Sequence, residues 1–226
     1  MRIITWNCNG AFRKKFNQLL CLNADIYVIE ECEDPANAND EEYKKFASNY
    51  LWIGDKNKGL GIFAKDSIKL VNNNLKSFGL EWFLSCKVND KLTLFGMWGK
   101  RNYIEDIYVY LQIYKKYMSK SENILICRDF NSNSIWDDKH NKRCHTNVVR
   151  ELQSINLYSY YHLDKNEIQG KETIPTFYQY KRESRGYHID YFFGKKNMFQ
   201  NLKVGEYKKW ITLSDHMPIM IDYKLI

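Results

Sequence analysis

The sequence lacks the signatures that would settle its chemistry quickly, and each absence removes a class. Six cysteines (Cys8, Cys21, Cys32, Cys86, Cys127 and Cys144) are scattered with no CxxC pair. Neither a zinc knuckle nor a disulfide framework is suggested, and a reducing compartment fits better. There is no HExxH or paired Cys/His set for zinc and no GxSxG elbow for a serine esterase. "GLGIF" continues into neither GxGxxG nor the GK[ST] of a P-loop. No apolar run approaches 18 residues, so no segment is expected to span a membrane. "MRIITWN" begins as a strand and not as the apolar core of a leader peptide. Repeats, low-complexity tracts and linkers are also missing. The expectation is a soluble cytoplasmic protein of one domain over residues 1–226, taken to be a monomer.

What is present is an ordinary globular composition, 44% hydrophobic and 27% charged across 226 residues, enough chain to bury a substantial core. The formal charge of +7 leans towards anionic partners, although abundant lysine has bland explanations too. Short apolar strands alternate with polar loops. Arg2–Trp6, Asp25–Ile29 and Ile124–Cys127 read as buried strands, and Trp82–Val88 and Leu92–Trp98 flank "NDK" as a hairpin. Tyr103–Met118 and Thr146–Ile155 carry apolar residues at helical spacing, and Phe12–Leu22 reads as a basic amphipathic helix. "TFYQY" and "KVGEYKK" read as strands. The mixed order predicts an α/β chain with one large sheet or two packed ones.

Five of the strands end in acids, amides or histidine. Asn7 follows "IITW", Glu31 ends "DIYVIEE", Asp129 and Asn131 follow "ILIC", Asp190 lies inside "YHIDYFF", and Asp215-His216 precede "MPIMI". Each alone has a structural reading, since Asp and Asn are favoured in turns. Asp190 is harder to dismiss, because a carboxylate among Ile189, Tyr191, Phe192 and Phe193 needs a partner. Together they form a chemical inventory. Glu31 and Asp215 offer oxygen ligands to a hard divalent cation such as magnesium. Asp129, oriented by Asn7 and Asn131, can take a proton from water. His216, held by Asp190, can stabilise charge on a phosphoryl oxygen. That set suits metal-assisted hydrolysis of a phosphate ester.

In this order the motifs "ITWNCNG", "ADIYVIEE", "KGLGIFAKD", "ILICRDFNSN", "YHIDYFF" and "LSDHMPI" resemble the endonuclease/exonuclease/phosphatase superfamily. This is the DNase I-like fold shared with exonuclease III and abasic-site endonucleases. The resemblance runs from residue 4 to residue 219 and implies a four-layer sandwich, two mixed β-sheets flanked by helices. It implies Mg²⁺, or Mn²⁺, held by Glu31 with Asp215 as a further acid. It makes Asn7 the amide touching both the catalytic Asp and the metal site, Asp129 the residue that orients or deprotonates water, and Asn131 its support. Asp190 becomes the partner of a phosphate-contacting His216.

Three departures stand out. Trp98 occupies the strand end where many members carry His or Tyr, with Arg101 and Tyr103 as substitutes. Glu30 stands where Gln usually precedes the metal Glu. Arg128 stands where Gly usually precedes the catalytic Asp. If that position needs a positive φ, Arg128 strains the backbone and misplaces Asp129, giving an impaired, nucleic-acid-binding variant. Otherwise its guanidinium reaches a phosphate or a nearby carboxylate. Basic loops with aromatics or histidine, "FRKKF", "WGKRNY", "DDKHNKRCH" and "YKRESRGYH" ending at His188, favour nucleic acid and DNA above all. The leading expectation is a Mg²⁺-dependent DNA endonuclease, and a lipid or inositol phosphate hydrolase of the same fold is the alternative.

Overall fold

A computed structural model describes residues 1–98 and 102–225. The strands are β1 (Arg2–Asn7), β2 (Ile26–Cys32), β3 (Tyr50–Asp55), β4 (Lys58–Ala64), β5 (Leu70–Asn72), β6 (Phe83–Val88) and β7 (Leu92–Trp98). There follow β8 (Ile124–Asp129), β9 (Tyr158–Ser159), β10 (Phe177–Tyr178), β11 (Gly186–Tyr187), β12 (Asp190–Gly194), β13 (Phe199–Val204) and β14 (Ile219–Tyr223). The helices are α1 (Phe16–Leu20), α2 (Glu41–Phe46), α3 (Ile104–Ser119), α4 (His145–Gln153), α5 (Tyr160–Lys165) and α6 (Tyr207–Trp210).

Two six-stranded mixed sheets form, in the orders β13-β14-β1-β2-β4-β3 and β5-β6-β7-β8-β12-β9. Strand alternation makes each sheet two-faced. Ile3, Val28 and Ile62 of the first sheet meet Leu94, Leu125 and Phe192 of the second in a shared inner core. The opposite faces carry Ile4, Trp6 and Ile29 beneath α1 and α2, and Phe95, Ile126 and Phe193 beneath α3 and α4. The result is the expected four-layer sandwich. The β6–β7 turn passes through Asn89 and Asp90 at φ 50° and 55°, the left-handed pair that a tight hairpin requires. Parallel β7 and β8 need a crossover, and α3 supplies it.

The Phe12–Leu22 helix is broken. A 3-10 turn at Phe12–Lys14 and α1 are separated by Lys15, at φ −125°, whose ammonium donates to the Cys8 carbonyl at 2.7 Å. "KVGEYKK" stops being a strand at Val204, the last residue paired with β14, and continues as α6. "TFYQY" keeps only the two residues of β10. The cysteines are free, and no described helix is long and apolar enough to cross a membrane.

A buried polar knot lies among α4, α5 and the segment before β10. His162 Nε2 lies 3.0 Å from Glu172, Ser159 lies 2.7 Å from His162 Nδ1, and Gln169 bridges His162 and His145. Burial lowers His145 and His188 to about 4 from an ordinary 6.5. These two imidazoles stay neutral in the fold but charge in the unfolded chain. Their stabilisation is therefore complete above pH 6.5 and is lost as pH falls through about 4. Differential scanning calorimetry should show the melting temperature falling steadily over that window. His188→Gln should flatten the fall, and a flat wild-type profile would contradict this reading.

Candidate functional site

Strand parity builds the site. Ile3, Thr5 and Asn7 of β1 share the inner face, as do Leu125, Cys127 and Asp129 of β8 and Asp190 and Phe192 of β12. The alternation that buries the middle of each strand therefore delivers Asn7, Asp129 and Asp190 to one end of the inter-sheet space. Asp129 and Asp190 are direct cross-strand partners. All three are almost fully buried.

Asp129 is held on every side. Asn7 Nδ2 donates to its Oδ2 at 3.0 Å, and the Asn131 amide and Nδ2 donate to Oδ1 and Oδ2 at 2.8 Å each. Asn131 sits at φ 47°, a left-handed conformation that Asn tolerates and that folds its side chain back onto Asp129. His216 Nδ1 lies 3.0 and 3.1 Å from the two Asp190 oxygens, and its Nε2 lies 3.9 Å from Asp129, too far for a hydrogen bond. Burial alone would lower the His216 pKa, but Asp190 and Asp129 outweigh it and raise it, which favours the charged ring, its Nε2 turned towards Asp129.

Glu31 arrives by a different device. The β2–β4 register slips between Glu30 and Cys32, and Glu31 is the bulged residue at φ 62°. Bulges re-aim side chains beside active sites, and this one brings Glu31 Oε1 to 3.5 Å from Asn7 Nδ2. Asp215 is steadied by Asn9 Nδ2 at 3.0 Å. Ser214 ties the ends together, donating to the Asn7 carbonyl at 2.8 Å and accepting from the His216 amide at 3.0 Å. Asp129, Asp190 and His216 also place one ligand atom each within 4.8 Å of one another. Since His216 Nδ1 already faces Asp190, the oxygen-only set of Glu31 and Asp215, with nearby amides, fits a hard cation better.

The other sequence-selected residues differ in placement, and Trp98 borders this group on the inner face of β7. Trp98 closes β7 in register with Asp129 and packs on Trp82 with ring centroids 4.4 Å apart. Tyr103 is exposed at the start of α3. Arg101 lies outside the described residues. His188 is buried in the polar knot, its Nδ1 2.7 Å from the Ile174 carbonyl, and does not join the group around Asp129. Arg128 has regular strand geometry with no positive φ. Parity turns it to the face opposite Asp129, fully buried, with its guanidinium 4.9 Å from the Phe130 ring and 5.8 Å from Phe83. Both Nη atoms lack a hydrogen-bond partner among the described residues, and burial lowers its pKa to about 9.

Glu30 faces inward, fully buried, with one oxygen accepting from Thr5 at 3.2 Å. Burial and the neighbouring Asp129 and Asp190 push its pKa well up. That favours the neutral acid, close in shape to the Gln expected there. Sequence reasoning passed over Thr176, whose hydroxyl accepts from the Asp190 amide at 3.0 Å, and Lys58, whose ammonium lies 2.6 Å from Glu31 Oε2. Lys58 opens the "KGLGIFAKD" motif, so a signal for it was present.

The two sheets and their flanking helices have a DNase I-like architecture. No protein-family model and no curated protein matches the sequence. Solved structures match by shape. A 3′ phosphatase from Neisseria, NExo, bound to a product DNA hairpin, superposes with TM-score 0.73 and 15% identity over 99% of each chain. An AP endonuclease from Archaeoglobus fulgidus gives 0.66 and 17% over all of both chains. The endonuclease domain of the telomere-specific non-LTR retrotransposon TRAS1 gives 0.65 and 16%, over 99% of this chain and 98% of that one.

Proposed function

We propose that the chain is a Mg²⁺-dependent phosphodiesterase that hydrolyses nucleic acid, with DNA as substrate and endonucleolytic cleavage as its mode. One observation carries the reading: Asn7, Asp129, Asn131, Asp190 and His216, from four separate chain segments, converge at one strand end beside Glu31, Asp129 held by the two amides and His216 by Asp190. Likeness in fold to a phosphatase solved with a DNA hairpin, and to two endonucleases, supports nucleic acid as the substrate.

Glu31 and Asp215 would hold the cation, which when bound neutralises phosphate charge. Asp129 takes the proton of the attacking water, and the Asn7 and Asn131 amides fix its carboxylate for that task. The His216 imidazolium donates Nε2–H to a phosphoryl oxygen as charge develops, while Asp190 holds the ring. A flanking strand can be met by Tyr180, 72% exposed, with the Arg185 guanidinium 5.7 Å from its ring. This loop is tied to the site where Phe177 bridges to His216.

The direct assay is nicking of supercoiled plasmid. Metal-stripped protein should leave it intact, and millimolar Mg²⁺ or Mn²⁺ should restore nicking. Cleavage indifferent to chelator would overturn the mechanism.

A further inference from the structure

The Glu31 carboxylate already has a cationic partner within the chain. Lys58, the first residue of β4, adjoins Gly59, which pairs with Cys32 at the edge of the bulge that presents Glu31, and its Nζ sits 2.6 Å from Oε2. The lysine side chain is 55% exposed, against 18% for Glu31, so it is free to leave on its flexible stem. A divalent cation on Glu31 repels an ammonium held on the same carboxylate, which favours the release of Lys58.

The place for the displaced ammonium is on the same side. A cleft of about 490 Å³ adjoins Lys58, lined also by Arg13, Lys56, Asn57, Asn37 and Asn39. Arg13 is committed to Glu33. Lys56, at the hairpin tip with φ 53°, pairs with no acid among the described residues. The side-chain amides of Asn39 and Asn57 make no hydrogen bond among the described residues. Without Lys58 the cleft has one uncommitted cation beside the acids Glu33 and Asp34. With Lys58 released into it, the cleft presents two cations and two free amides, a set that fits the phosphate and base of a nucleotide flanking the scissile bond.

We propose that Lys58 couples the two events: cation binding at Glu31 releases Lys58 to hold a backbone phosphate in the adjoining cleft. The inference rests on the phosphodiesterase reading. Because such coupling is reciprocal, nucleic acid must raise metal affinity by the same factor by which metal raises nucleic-acid affinity.

The test is a four-corner binding cycle on the full chain, run with Mn²⁺ by calorimetry and with a cleavage-resistant phosphorothioate DNA duplex by fluorescence anisotropy. Lys58→Met keeps the stem and removes the charge. Wild type should show mutual enhancement of about 5-fold or more. Lys58→Met alone should bind Mn²⁺ about 5-fold tighter, since no cation need be displaced, and its metal–DNA enhancement should shrink towards unity. Lys56→Met should weaken duplex binding and leave Mn²⁺ affinity unchanged. A Lys58→Met protein with wild-type Mn²⁺ affinity, or with tighter Mn²⁺ binding but undiminished enhancement, would overturn the coupling. Wild type that binds no duplex with or without Mn²⁺ would overturn the nucleic-acid reading itself, a result distinguishable from failure of Lys58 alone.

Discussion

Replacing Asp129 by Asn should slow single-turnover cleavage of duplex DNA by roughly 10²–10⁴-fold, the range for losing a positioned proton acceptor. The environment makes this substitution severe. Both carboxylate oxygens accept hydrogen bonds from Asn7 and Asn131, so an amide at this position must turn one NH₂ towards a donor. It can neither take the water's proton nor keep the orientation. Duplex affinity should change by only a few-fold, because Asp129 is fully buried and supplies no phosphate contact. A rate within threefold of wild type, in protein with an unchanged melting temperature, would remove Asp129 from the mechanism.

Arg128 governs the second large effect, on stability. Its side chain fills space between β8 and α3 against Phe83 and Phe130, and its Nε donates to the Asp129 carbonyl at 2.9 Å. Arg128→Gly would empty that space, so it should cost about 2–5 kcal/mol, as large-to-small core changes do, and should not raise the cleavage rate. Arg128→Met should be at least as stable as wild type, and more stable by up to about 4 kcal/mol. It fills the same space with an apolar chain and removes a buried charge whose two Nη atoms have no hydrogen-bond partner among the described residues. Chemical denaturation of both variants checks the pair. A tenfold faster Arg128→Gly enzyme would mean that the arginine restrains the site after all.

The sequence carried much of this arrangement because strand parity is visible in it. "ILICRD" alternates in a way that fixes Asp129 on the face of Leu125 and Cys127 and sends Arg128 to the face of Ile126. That already separates Arg128 from the phosphate, once parity is followed to the strand's end. The same alternation places Asp190 with Phe192. What stayed hidden depends on long-range register and backbone irregularity. The bulge at Glu31 changes which side chain reaches the site, and no propensity marks a Glu for φ 62°. His188 looked like a loop residue in a basic segment, yet its contacts come from Ile174 and Tyr161, distant in sequence. The basic run Phe12–Leu22 has helical periodicity throughout, and only the pull of Lys15 on the Cys8 carbonyl shows where it breaks.

Metal dependence traced to Glu31 is the central claim, and the metal titration of plasmid nicking tests it most directly. Stripped wild-type protein should be silent and should gain activity along a saturable Mg²⁺ curve, while Glu31→Gln should need at least tenfold more Mg²⁺ and reach a lower plateau. Nicking by stripped protein, or a Glu31→Gln curve that overlays wild type, would contradict the account.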